Sequence, residues 1–147
     1  MKEKRSKGTC IFCDAVAGSD DKGTLVLYRG QYCFVILNRY PYTSGHLMIA
    51  PYEHVDRLSS ISDSAAVEVM HLTRLAERSI EATYHPDGLN LGMNLGEAAG
   101  AGIEQHIHMH VLPRWKGDAN FMTSVGDTRI IPESLAETYD KLRPAFL

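Results

Sequence analysis

The sequence predicts an α+β domain of two layers, in which an antiparallel sheet of about five strands carries one long helix on a face. Three observations predict this fold. Short β-prone apolar runs bounded by turn residues recur along the chain, residues 63–84 have a helical period, and a length of 147 residues is typical of one domain. We therefore expect a single domain over residues 1–147, with residues 1–9 disordered and residues 116–147 as a C-terminal extension.

The individual elements follow from periodicity and turn residues. Glycine, proline and polar residues cluster in the predicted loops, which span residues 18–23, 38–45 and 96–102. The predicted strands span residues 24–28, 33–37, 46–50, 89–93 and 105–112.

Residues 63–84 form the predicted helix, and its 22 residues would measure about 33 Å. Pro86 ends it, because proline cannot continue the helical hydrogen bonds. The predicted buried stripe consists of Ala66, Val69, Thr73, Ala76, Ile80 and Thr83.

Composition and charge exclude several functional classes. Fifteen basic and eighteen acidic residues leave a net charge of −3, which argues against a nucleic-acid-binding surface. No apolar run approaches the roughly 20 residues needed to span a membrane, and the basic N-terminus lacks the apolar segment of a signal peptide. Three cysteines cannot all pair, which is typical of a reducing compartment, so we expect a cytoplasmic protein without membrane contact.

Three histidines alternate with apolar residues in HIHMH, residues 106–110. Side chains repeat every two residues along a strand, so the three histidines His106, His108 and His110 are predicted to point from one face, while Ile107, Met109 and Val111 point to the other. Such a row can bind zinc with an open water position, or it can supply a nucleophile and its neighbours for attack on phosphate. Chance placement on an exposed strand face is a third interpretation.

A glycine-rich loop precedes this strand and contains Gly96, Gly100 and Gly102. Glycines allow successive backbone N–H groups to converge on an anion, although such a loop by itself is as often an ordinary bend. Directly before the histidines it favours phosphate chemistry, in which the loop holds phosphate oxygens and the strand presents imidazole to phosphorus. The zinc-water interpretation stays open at this point.

Residues 105–114, QHIHMHVLPR, resemble the His-x-His-x-His signature of the histidine triad (HIT) family. The resemblance extends to residues 37–51 and 88–94 and covers about residues 10–122. Residues 111–121, VLPRWKGDANF, resemble the branch that cleaves dinucleoside polyphosphates, which includes bacterial diadenosine tetraphosphate phosphorylases and Fhit-like hydrolases. The resemblance implies the fold predicted above, as a HIT-like domain.

The resemblance also implies roles for the matching residues. His108 is implied as the nucleophile, His110 as a contact to the phosphate or leaving-group oxygen, and His46 as a buttress of the row. The implied nucleotide contacts are Asn38, Asn94, Gly100, Ala101, Gly102, Ile103, His110 and Trp115. Without the resemblance, His46 would be a core histidine, the asparagines turn or strand-end residues, and Trp115 a packing residue.

The segment CIFC, residues 10–13, contains a Cys-x-x-Cys pair, which by itself fits a redox motif, half of a zinc site or chance. The resemblance to bacterial members of the family implies a structural zinc ion held by Cys10, Cys13, His54 and His106. Two thiolates and two imidazoles form the closed tetrahedral set typical of structural zinc. We expect no organic cofactor, and Cys33 is expected in the core.

The resemblance predicts a phosphorylase or hydrolase that cleaves dinucleoside polyphosphates, such as diadenosine tetraphosphate, at the α-phosphate through a covalent nucleotidyl-histidine. The expected partners are AMP, ADP or a dinucleoside polyphosphate, inorganic phosphate as acceptor, and a second copy in a homodimer. The loop lacks the serine that phosphorylase-like relatives often carry, so phosphate and water both remain as acceptors. The alternatives are a nucleoside phosphoramidase, a nucleotide-binding regulatory module with weak turnover, and a zinc-water hydrolase.

Overall fold

The computed structural model describes residues 10–102, 105–119 and 133–147. The disorder predicted for residues 1–9 and the phosphate contact predicted for Ile103 lie outside these residues. Among the described residues, no helix is both long enough and apolar enough to cross a membrane.

Five strands form one antiparallel sheet in the spatial order β1-β2-β3-β5-β4. The predicted α+β class is confirmed, with helices packed against the sheet. The strands are β1 (Val26–Arg29), β2 (Cys33–Leu37), β3 (Leu47–Pro51), β4 (Gly88–Gly92) and β5 (Met109–Arg114). The helices are α1 (Ile11–Ala17), α2 (Asp21–Thr24), α3 (Asp63–Tyr84) and α4 (Leu135–Leu142).

The long helix α3 has the bounds that the sequence predicts. It begins where the Ser62 hydroxyl accepts a hydrogen bond from the Ala65 N–H, and it ends at His85, which adopts a left-handed conformation. The Cys33 thiol of the sheet lies 3.5 Å from the Ala65 carbonyl oxygen, so α3 covers the face that Cys33 occupies. Its fully buried positions are Ala65, Val69, Leu72, Thr73, Ala76, Ser79 and Ile80.

The strand register divides the side chains between two faces, which we call the helix face and the histidine face. Directly paired residues share a face, and neighbours along a strand alternate. Val111 pairs with Leu47 on the helix face, whereas His110 pairs with Met48 on the histidine face. The apolar core lies mainly between the sheet and α3, and α1 covers part of the histidine face.

The structure corrects two predicted elements near the site. The last strand starts at Met109 rather than at residue 105, because its partner strand ends at Pro51, which has no N–H to extend the ladder. The Ile107 N–H instead donates to the Val55 carbonyl at 2.7 Å. The loop predicted at residues 18–23 contains the single turn α2, which Asp20 caps by accepting from the Gly23 N–H.

The C-terminal residues complete the core on the β1 side of the sheet. Tyr139 and Leu142 of α4, together with Phe146, are buried, and the Tyr139 hydroxyl donates to the Val26 carbonyl at 3.0 Å. Neither this helix nor α1 was predicted from sequence. Both are short, so their stability depends on tertiary packing rather than on local propensity.

Candidate functional site

The three histidines of residues 106–110 follow one another along the histidine face. His106 and His108 precede β5 and are 0% and 3% exposed, whereas His110 lies within β5 and is half-buried. The rings of His108 and His110 are edge-to-face with centroids 4.7 Å apart. Ile107 and Val111 are buried in the core. The rings of His106 and His108 both contact the Phe12 ring, and the rings of His108 and His110 contact each other, so the three imidazoles lie on one side as the sequence predicts.

The ring nitrogens of His108 have different environments. Nδ1 lies 2.8 Å from the carbonyl oxygen of His106, so this nitrogen must carry the proton and donate it. In a neutral imidazole the other nitrogen, Nε2, then holds a lone pair. Burial lowers the pKa of His108, while the hydrogen bond to the His106 carbonyl acts in the opposite direction. The geometry thus fixes one tautomer, with a lone pair on Nε2.

His46 and His110 form a second hydrogen-bonded unit. The Tyr42 N–H donates to His46 Nδ1 at 3.2 Å, so His46 Nε2 carries the proton and donates to His110 Nδ1 at 2.9 Å. His110 therefore has its own proton on Nε2. Burial, and to a smaller extent the charge of His108, lower the pKa of His110 to about 4, so its ring is neutral near pH 7.

Asn38 lies beside this unit, at the start of the loop that follows β2. Its Nδ2 is 3.4 Å from His46 Nε2, and its Oδ1 accepts from the Tyr40 N–H at 2.8 Å. Since His46 Nε2 is a donor, the 3.4 Å approach is a packing contact. The fold therefore places Asn38 at the edge of the histidine row. The Tyr42 N–H, which fixes the tautomer of His46, was not among the contacts predicted from the sequence.

Cys10, Cys13, His54 and His106 come together at the other end of the row, and their candidate ligand atoms all lie within 4.8 Å of one another. The Cys10 and Cys13 sulfurs lie 3.3 and 3.7 Å from His106 Nδ1, and His54 Nδ1 lies 3.2 Å from the same atom. A tetrahedral zinc ion with bonds of about 2.3 Å to sulfur and 2.0–2.1 Å to nitrogen separates its ligand atoms by roughly 3.3–3.8 Å.

The three separations from His106 Nδ1 in this Cys2His2 cluster are therefore close to those expected between ligands of a tetrahedral zinc ion. His106 Nε2 donates to the Pro51 carbonyl at 2.7 Å, which leaves Nδ1 as the nitrogen for a metal. His108 and His110 are not members of the cluster. Among the described residues, this is the one group of cysteine, histidine and acidic side chains close enough to hold an ion, and the geometry argues against a zinc-water site that uses all three histidines of the row.

The glycine-rich loop starts and ends beside the histidines. It follows Gly92, which pairs with His110, and the chain returns to His106. Gly96 and Gly100 have φ of 82° and 89°, which glycine adopts without strain. The Gly100 N–H donates to the Glu97 carbonyl at 2.9 Å, and the Ala101 N–H donates to the Gly96 carbonyl at 3.3 Å.

Two of the N–H groups predicted to hold phosphate thus take part in the turns of the loop itself. Of the other two predicted contacts in this region, Gly102 is exposed, and Asn94, which follows β4, is half-buried.

Trp115 lies away from the histidine row within the chain. Side chains alternate along β5, so Trp115, directly after the strand, is on the same side as Val111 and Pro113. Its ring packs edge-on against Tyr84 of α3, with centroids 6.5 Å apart. Both observations place it on the helix face. The predicted contact of Trp115 with the nucleotide stays a prediction, because within one chain Trp115 packs against α3 and not beside the histidines.

Sequence reasoning missed Phe12, which lies between the two cysteines and is 0% exposed. Its ring centroid is 5.1 Å from that of His106 and 4.9 Å from that of His108. The signal available in the sequence was an aromatic residue inside a Cys-x-x-Cys pair, but nothing local shows that this residue faces the histidines.

Comparison with known proteins identifies similar chains. A family model described as HIT domain matches residues 20–117. A Mycobacterium tuberculosis protein named AP-4-A phosphorylase is 45% identical over 120 residues, which are 82% of this chain and 61% of that protein. The chain thus spans about three fifths of that relative. Protein hit from Bacillus subtilis is 34% identical over 110 residues, 74% of each chain.

Solved structures give a similar result. A structure described as a Zn-bound histidine triad family protein from Mycobacterium smegmatis has a TM-score of 0.72 and 27% identity, and the match covers 94% of this chain and 93% of that one. A HIT family member from Bacillus subtilis has a TM-score of 0.65 and 31% identity, over 73% of this chain and 74% of that one.

Proposed function

The chain belongs to the HIT family, and we propose that it is an enzyme that cleaves dinucleoside polyphosphates at the α-phosphate by transferring a nucleotidyl group to His108. The similarity to a protein named AP-4-A phosphorylase supports this substrate class. The observation that carries the proposal is the single tautomer of His108, whose Nδ1–H is held by the His106 carbonyl so that Nε2 keeps a lone pair.

In the proposed first step, His108 Nε2 attacks the α-phosphorus. An N–P bond forms while the bond from phosphorus to the bridging oxygen breaks, and the leaving nucleotide departs with the electron pair as a stable polyphosphate anion. Positive charge develops on the imidazole, and the Nδ1–H bond to the His106 carbonyl stabilises it. In the second step, an oxygen of phosphate or water forms a new bond to phosphorus, the N–P bond breaks with its electron pair returning to Nε2, and the proton of the attacking oxygen is released to solvent.

His110 is proposed to donate a hydrogen bond from Nε2–H to a phosphate or leaving-group oxygen. His46 supports this role, because its own Nε2–H holds His110 Nδ1 as an acceptor. Further nucleotide contacts are proposed for Asn38, Asn94, Gly100, Ala101, Gly102, Ile103 and Trp115. Because the Gly100 and Ala101 N–H groups bond within the loop, their contact with phosphate would require the loop to rearrange.

We propose that the Cys2His2 cluster holds a structural zinc ion. All four positions of a tetrahedral ion would be filled by Cys10, Cys13, His54 and His106, which leaves no site for water or substrate. When bound, the ion would supply folding stability by tying α1 and the segment after β3 to the histidine row. The zinc-bound relative from Mycobacterium smegmatis supports the choice of metal.

A homodimer is proposed as the working assembly. The outermost strand β4 exposes Leu91 to 50%, and the outer side of α3 exposes Val67 and Met70 to 58% and 56%. Exposed apolar side chains on an edge strand, or on the outer side of a helix, are each typical of surfaces that pair with another chain. Sedimentation analysis of the purified protein tests this, and a monomer at micromolar concentration would contradict it.

The proposed activity is tested by product analysis with labelled diadenosine tetraphosphate. Phosphorolysis gives ADP and ATP and requires phosphate, whereas hydrolysis gives AMP and ATP without it. A parallel reaction with an AMP–amine substrate tests the phosphoramidase alternative. Rapid quenching should trap an acid-labile nucleotidyl-protein, and His108→Ala should abolish both this species and turnover while AMP affinity stays within about tenfold. A wild-type protein that binds AMP but forms no such species would instead be a regulatory module.

A further inference from the structure

Phe12 occupies an unusual position, between the two cysteines of the Cys2His2 cluster and against the ring of the nucleophile. We propose that Phe12 is a positioning residue that holds the His108 ring in the orientation for attack on phosphorus and thereby couples the cluster to catalysis. This inference rests on the proposed function and adds a residue of α1 that would influence the reaction by orienting the His108 ring.

The His108 ring is held from three sides. Its Nδ1–H is bonded to the His106 carbonyl at 2.8 Å, which restrains one atom of the ring. The Phe12 ring lies against it with centroids 4.9 Å apart and planes at 40°, and the His110 ring lies edge-on at 4.7 Å. A single hydrogen bond lets a ring pivot about the bonded nitrogen. The aromatic contact with Phe12 removes this freedom, so the direction of the Nε2 lone pair is set by packing.

Phe12 cannot withdraw without disturbing the cluster. It lies in the first turn of α1, where the Asp14 N–H donates to the Cys10 carbonyl at 2.9 Å. The residues on either side in the motif, Cys10 and Cys13, place their sulfurs 3.3 Å from the Nδ1 atoms of His106 and His54 respectively. The Phe12 ring is 0% exposed.

The Cys2His2 cluster is consequently connected to His108 through two sets of contacts, which we call routes. One runs through His106, whose ring belongs to the cluster and whose carbonyl accepts the His108 proton. The other runs through Phe12. Neither route includes the residues proposed to contact the nucleotide. Loss of the Phe12 ring should therefore lower kcat and leave KM nearly unchanged, since misplacement of a reacting group affects the transition state more than ground-state binding.

The test compares Phe12→Leu with Phe34→Leu. Phe34 is equally buried and its ring lies 6.3 Å from that of Phe12, yet among the described residues it has no ring contact with a histidine. Phe12→Leu should lower kcat for diadenosine tetraphosphate about tenfold or more with KM within about threefold, whereas Phe34→Leu should cause a comparable loss of stability without that loss of kcat. Phe12→Tyr, which keeps the ring, should recover most of the rate. If Phe12→Leu does not fold, Phe12→Met takes its place.

A second measurement is independent of turnover. Long-range proton–nitrogen NMR spectra of the zinc-loaded protein should show Nδ1 of His108 protonated in all three proteins, with one sharp set of ring signals in wild type and Phe34→Leu, and doubled or exchange-broadened ring signals in Phe12→Leu. Equal kcat and equal His108 spectra in the two leucine variants would overturn the inference, as would loss of zinc by Phe12→Leu alone, because the metal would then carry the effect. Absence of the nucleotidyl intermediate in wild type would refute the proposed function instead, and the NMR comparison would still decide whether Phe12 orders the ring.

Discussion

Replacement of His46 by phenylalanine tests the hydrogen bonds behind the histidine row. His46 is 1% exposed, accepts from the Tyr42 N–H at 3.2 Å and donates to His110 Nδ1 at 2.9 Å. Phenylalanine retains an aromatic ring of similar size and removes both hydrogen bonds. His110 then loses the donor that keeps its own proton on Nε2, the atom proposed to bond to phosphate or to the leaving group.

The size of the effect follows from the bonds that are lost. A neutral hydrogen bond contributes about 0.5–1.5 kcal/mol, which corresponds to about a twofold to tenfold change in the preference of His110 for the reactive tautomer. We therefore expect kcat to fall by about that factor with little change in KM. The Tyr42 N–H also loses its acceptor, and because Tyr42 is 49% exposed this should lower the free energy of unfolding by only about 0.5–1.5 kcal/mol.

The assay combines steady-state kinetics with rapid-quench measurement of the nucleotidyl-protein. His46→Gln should recover most of the rate lost in His46→Phe, because an amide N–H can replace the ring Nε2–H as donor to His110. His71→Phe, on the exposed side of α3, serves as the control. Unchanged kcat in His46→Phe would refute the role of the tautomer. A loss above a thousandfold would show that His46 acts on the substrate itself.

Three further predictions concern stability and metal content. Glu68 of α3 accepts from three successive backbone N–H groups of the β1–β2 turn at 2.5–2.9 Å, so Glu68→Gln should cost about 2–4 kcal/mol in urea unfolding, whereas the exposed Glu81→Gln should cost almost nothing. Since burial lowers the pKa of His110 to about 4, the unfolded chain binds a proton between about pH 4 and pH 6.5 that the folded chain does not. The free energy of unfolding should therefore fall on acidification through this window, and His110→Gln should have a smaller slope than wild type; identical slopes would contradict this. Elemental analysis should find one equivalent of zinc in the wild-type protein; Cys13→Ser should lack it and melt at a lower temperature, while Cys33→Ser should retain it.

Much of the fold follows from local patterns in the sequence. The helical period of α3 predicts its bounds correctly because a long amphipathic segment is stopped at both ends by local signals, Ser62 at one and His85 before Pro86 at the other. The apolar run of residues 33–37 likewise predicts the bounds of β2 correctly. Helix α1 was not predicted, because seven residues carry too little periodicity to specify a helix that forms only where it packs.

The shared face of the three histidines could be predicted from their spacing, but the tautomer of each ring could not. The alternation of His106, His108 and His110 places three imidazoles on one face, since every second residue of an extended chain points the same way. Which nitrogen of each ring carries the proton depends on carbonyl and N–H groups brought in from other segments, such as the Tyr42 N–H beside His46. No local pattern encodes such partners.

The sequence by itself determined the long helix and the alternating histidines, because each depends on residue types at short, regular spacings, whereas the set of metal ligands was implied only by the resemblance to the HIT family. Only the tertiary structure decided that Cys10, Cys13 and His54 meet around His106, that Phe12 packs on His108, and that Trp115 lies on the opposite face of the sheet. These contacts join residues that are distant along the chain, and they form only when the sheet register and the packing of α1 and α3 set their positions.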